Sequence, residues 1–134
     1  MIAEPASPND LLAVIRDWFR LLAADRWDEA IGMLDEPNRY GIQWTPEGIR
    51  GALDLTFRPG CRFRVTHPEG PQFTDPDAAS GLPHADVVAF DDGSGYSADH
   101  DVPLNGEWSD LTAQFEFLRR PNGLALVLHD LHVL

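Results

Sequence analysis

Apolar residues recur in two rhythms along this chain, and the change between them divides it. From Leu11 the spacing is helical. Leu11, Ile15, Trp18 and Leu22 fall three and four apart, Val14 and Phe19 widen the stripe, and Arg16, Asp17 and Arg20 lie largely off it. Ser7 is placed to cap this helix, Pro8 suits its first position, and Asp10 sits where a capping-box acid belongs. Asp25 reads as a second cap, ahead of a shorter amphipathic helix carrying Trp27, Ala30, Ile31 and Leu34, which Pro37 and Asn38 end. A short strand is expected near Tyr40 to Gln43. Thr45-Pro46-Glu47 opens a third helix through Ile49, Ala52 and Leu53, kept short by Gly48 and Gly51.

From Cys61 the period drops to two. Cys61 to Thr66 alternates as a half-buried strand does. Residues 67–83 form a long loop rich in Pro and Gly, of the kind that covers a pocket mouth or is a plain surface insertion. Strand patterns then follow one another. His84 to Phe90 and Tyr96 to Val102 flank an Asp-Asp-Gly-Ser-Gly turn. Trp108 to Leu118 sets Leu111, Ala113, Phe115 and Phe117 against Thr112, Gln114 and Glu116. Leu124 to Leu134 is apolar on both faces. Helices first and five hairpin-linked strands afterwards predict one α+β domain spanning 1–134, with 1–6 as a tail.

Composition narrows the function. Ten cationic residues, all Arg, face 22 acids, a net charge of −12. Nucleic acid and anionic membranes need clustered cations, so both are excluded, while a basic protein partner is allowed. The single cysteine, Cys61, rules out an intrachain disulfide and fits a reducing compartment. Residues 1–10 have neither a basic segment nor an apolar core of the kind a signal peptide carries, and a cytoplasmic location is expected.

The capped helix from Ser7, the helix from Asp25 to Leu34 and the Thr45-Pro46-Glu47 helix before the long strands resemble the nuclear transport factor 2-like superfamily, also called SnoaL-like or ketosteroid-isomerase-like. The likeness runs over nearly the whole chain and rests on element order. It implies a cystatin-like cone: N-terminal helices packed in the concave face of a curved, mostly antiparallel sheet, with a pocket at the wide end. It also implies a homodimer through the outer sheet face, which the apolar pattern of the last two strands suits. Some members are isomerases, cyclases or dehydratases, and others only bind or assemble.

Three polar groupings are candidates for chemistry. Asp130 and His132 share one face of the last strand, where a carboxylate can orient an imidazole for acid–base work. His100 faces away from Asp99 and Asp101, and either looks into the pocket or belongs to an exposed polar hairpin. Asp110, Thr112, Gln114 and Glu116 form a polar row that either lines a cavity or faces water, and Gln114 and Glu116 are its ligand-binding candidates. Trp44 stands near the expected pocket mouth, where an aromatic suits a flat apolar ligand or simply fills the cone, and Tyr40 is the phenolic donor that the helical region offers for ligand binding. Neither His-x-x-x-His nor Cys-x-x-Cys occurs, so no metal and no cofactor is expected. Two functions follow. One is a domain that binds an apolar small molecule or a protein. The other is an isomerase, cyclase or dehydratase that moves a proton with a buried Asp or His.

Overall fold

The computed structural model describes residues 1–134 and is α+β. Four helices come first: α1 (Pro8–Ala23), α2 (Trp27–Met33), α3 (Pro46–Thr56) and α4 (Arg62–Thr66). A 3-10 turn at Pro76–Ala78 precedes β1 (Ala85–Ala89), β2 (Gly95–Leu104), β3 (Glu107–Arg120) and β4 (Gly123–Val133). The strands form one open antiparallel sheet in chain order. No helix is long and apolar enough to cross a membrane.

The α1 start follows from its first residues. Asp10 N–H donates to Ser7 Oγ at 3.1 Å, and Ser7 N–H donates to Asp10 Oδ2 at 2.8 Å. Leu11, Ile15, Trp18, Phe19 and Leu22 are all buried, each contributing about 2 kcal/mol by removal from water. They pack with Ala98, Ala113, Phe115, Phe117, Leu126, Leu128 and Leu131 of the sheet, and Ile49 and Leu53 of α3 join the same core.

Four expectations give way. Cys61 to Thr66 is α4 with Cys61 as its cap, not a strand, so the strands number four. Six alternating residues fit a turn and a half of helix as well as a strand. The helical spacing brings the rings of Phe63 and His67 to 4.6 Å, a contact that wins over the alternation. Tyr40 to Gln43 is not a strand but a tight loop. Buried Asn38 draws it closed by accepting at Oδ1 from the N–H groups of Tyr40 and Ile42. Asp25 does not cap: it lies at φ 59°, and Arg26 takes the cap position without a side-chain bond. Residues 1–6 are not a free tail, because Ile2 exchanges both backbone hydrogen bonds with Leu124.

Two register shifts position the polar residues. Gln114 pairs with Asp130 but Phe115 pairs with Leu128, so His129 is the extra residue of a β-bulge. Strict alternation from Leu124 would send Asp130 and His132 into the core. The bulge turns both outward and puts Leu131 inside instead. A second shift sets Ser109, Asp110 and Leu111 opposite Val102 alone, between the pairs Asp101–Thr112 and Pro103–Trp108.

Candidate functional site

Residues 67–83 are anchored along their length to the β2–β3 turn. Thr74 N–H donates to Pro103 O, Ser80 N–H to Gly106 O, and Gly106 N–H to Thr74 Oγ1. Trp108 Nε1–H donates to Gly81 O at 3.2 Å, and Arg20 holds Asp75 and Asp77. This end of the molecule carries two recesses with Trp108 in the lining of both.

The first, about 300 Å³, lies between α4 and the β2–β3 hairpin. Three rings lie in successive contact there, Phe57 to Phe63 at 4.3 Å and Phe63 to His67 at 4.6 Å. Leu104 and Trp108 complete its apolar lining, and Arg62, Glu107 and Asp110 bring both signs of charge. His67 Nδ1 stands 3.5 Å from Glu69 Oε1. Aromatic walls with a few charged groups are what a small flat ligand with a polar edge requires.

The second recess, about 290 Å³, is lined by Arg16, Trp108 and the loop residues Pro76, Asp77, Leu82 and Pro83. Arg16 Nε–H donates to His100 Nε2 at 3.2 Å, and His100 Nδ1–H donates to the Asp101 carbonyl at 2.7 Å. His100 is fully buried against Phe19 and Trp108. Burial holds its pKa below the ordinary histidine value, and the Arg16 charge adds to that. The imidazole is therefore neutral, with its proton on Nδ1 and its lone pair on Nε2 aimed at Arg16.

The other sequence candidates lie elsewhere. Asp130 and His132 do meet, Oδ2 to Nδ1 at 2.9 Å, but out of line for a hydrogen bond and nearly half exposed on the outer sheet face. Gln114 and Glu116 lie half-buried on that face, with Gln114 beside both Asp99 and Asp130. Asp110 leaves their row at the second register shift and joins the first recess. Trp44 lines neither recess. Its Nε1–H donates to Leu128 O at 3.0 Å, pinning the chain along β4. Tyr40 is exposed, its ring 5.8 Å from that of His129.

The structure brings forward Phe63, His67, Arg62 and Arg16, which pattern reading passed over. The signal for the first two was Phe63 four residues before His67, visible once that stretch is read as helix. Arg16 carried none, since its partner lies 84 residues away. No three His, Cys, Asp or Glu side chains gather tightly enough to hold a metal ion. Compared with family models, with curated proteins and with solved structures, the chain matches none.

Proposed function

We propose that this chain is a small-molecule-binding domain of the nuclear transport factor 2-like type, and that the recess beside α4 is its ligand pocket. Helices gathered before a hairpin-linked sheet support that architecture, in which the sheet curls around the helices and opens at the end where residues 67–83 lie. One observation carries the binding reading. The half-buried rings of Phe63 and His67, with Phe57 buried behind Phe63, line a recess of about 300 Å³ that also holds Trp108. The ligand is a flat, mainly apolar molecule with one polar edge for Arg62, Glu107 or Asp110.

Binding is favoured over proton transfer because Asp130 and His132, the best acid–base pair, stand on the outer sheet face away from both recesses. His100, the other candidate, is sealed behind Arg16 and Trp108.

The test is calorimetric titration with 2-naphthol. Saturable binding is expected, weakened about tenfold or more in Phe63→Ala, on the scale of one lost aromatic contact. Binding that never saturates, or that Phe63→Ala leaves unchanged, rules out this pocket.

A further inference from the structure

We propose that the recess between α1 and residues 76–83 is a second ligand site, in which the Arg16 guanidinium holds the carboxylate of a small, flat monocarboxylic acid.

Arg16 is half-buried, yet it belongs to no ion pair in a chain with 22 acids. Asp17, beside it in the chain, and Asp77, across the recess, are both drawn to its neighbour. Arg20 holds Asp17 at 2.7 Å, Asp77 at 3.2 Å and Asp75 at 3.8 Å. An arginine that served only to close the structure would share one of these carboxylates. Arg16 is instead directed by a neutral group. The Asp101 carbonyl takes the Nδ1 proton of His100, which leaves Nε2 as an acceptor for Arg16 Nε–H. His100 cannot turn away, because it is fully buried with Phe19 at 5.3 Å and Trp108 at 5.4 Å.

A guanidinium offers five N–H donors in a rigid fork. The bond to His100 uses one, on the Nε side, and no protein acceptor takes those on Nη1 and Nη2. That free end matches the two oxygens of a carboxylate, the geometry of the strongest arginine pairs. The remaining lining fits an apolar body: Pro76, Leu82, Pro83 and the Trp108 indole, which its bond to Gly81 O keeps in place. Leu82 is 95% exposed, the most exposed large apolar side chain in the molecule, and it gains a partner when a ligand occupies the recess. A volume of about 290 Å³ sits at the low end of the range for ligand pockets, so the acid is small. A single carboxylate suits Arg16 better than a dianion, which the Asp77 charge and the overall −12 would repel more strongly.

Calorimetric titration of the full chain with benzoate and its uncharged analogue benzamide tests the site. Benzoate should bind at least about tenfold more tightly than benzamide, the scale of a charge-assisted hydrogen-bond pair. Arg16→Gln should remove that preference, and Phe63→Ala, which touches only the other recess, should leave it intact. Benzoate binding no tighter than benzamide to the unaltered chain, or not at all up to about 10 mM, overturns the proposal without recourse to any variant. So does equal benzoate affinity in a folded Arg16→Gln protein.

Discussion

His100 is enclosed by Phe19, Trp108 and Arg16, with the Asp101 backbone as its only other polar contact. Its charged form is disfavoured first by burial and next by the Arg16 charge, and the neighbouring Asp101 only partly offsets them. The pH consequence has a definite sign. An unfolded histidine takes up its proton near pH 6.5, while the folded one resists it. The stability that His100 contributes is therefore complete above pH 6.5 and is lost as the pH falls through the lower folded-state value. Urea unfolding across this range should show the midpoint dropping on the acid side, and His100→Gln should flatten the drop. An equally steep acid limb in the variant would show that other groups cause it. Residue-scale geometry also explains Gly95. The sequence marks it as part of a turn, but its φ is 147° and an added Cβ would lie 1.9 Å from the Phe117 carbonyl oxygen. Only the paired strand makes glycine necessary there.

Among the elements, β4 shows how a sheet edge is closed without another strand. Ile2 pairs with Leu124, and Asp35 binds Leu126 through both its backbone N–H and its carboxylate. Trp44 Nε1–H donates to Leu128 O, and Asn38 Nδ2–H donates to His129 O at 3.0 Å. Asn38 is the keystone, since its Oδ1 also gathers the N–H groups of Tyr40 and Ile42. Asn38→Ala should cost about 2–3 kcal/mol, the penalty of buried groups left without partners, as read from chemical denaturation. A loss below about 0.5 kcal/mol would mean that water replaces these bonds. The helices α1 and α3 were legible because capping residues and apolar spacing agree over many turns. The stretch 61–66 was not, because six residues carry too little periodicity to separate helix from strand. That error hid the ring series beside α4, and with it the first recess.

Across the whole molecule the charge is uneven. The outer sheet face sets Asp86 directly opposite Asp99, with Gln114 and Asp130 continuing the row across all four strands. None of these three acids meets an arginine, and only Asp130 has a histidine beside it. Like charges facing each other across a strand pair are unfavourable, so Asp86→Asn should raise stability by about 0.2–1 kcal/mol. Moderate salt should raise the melting temperature of the unaltered chain and shrink the gain from Asp86→Asn, by screening the same repulsion. A melting temperature that falls with salt would indicate that ion pairs such as Arg119–Glu4 and Arg120–Glu36 outweigh it.

The sequence by itself determined the helical start, the order of helices before strands and the hairpin-linked sheet, while the burial of His100 was decided by the packing of Phe19 and Trp108 around it. The first three depend on caps, turns and periodicity, which act between residues near in the chain. It also placed Asp130 and His132 on a common face, since that follows from their spacing alone. Which face they share was decided by the bulge at His129, and whether Arg16 stands free was decided by contacts across the fold. Register and long-range pairing arise only when distant segments pack against one another, and no local pattern encodes their outcome.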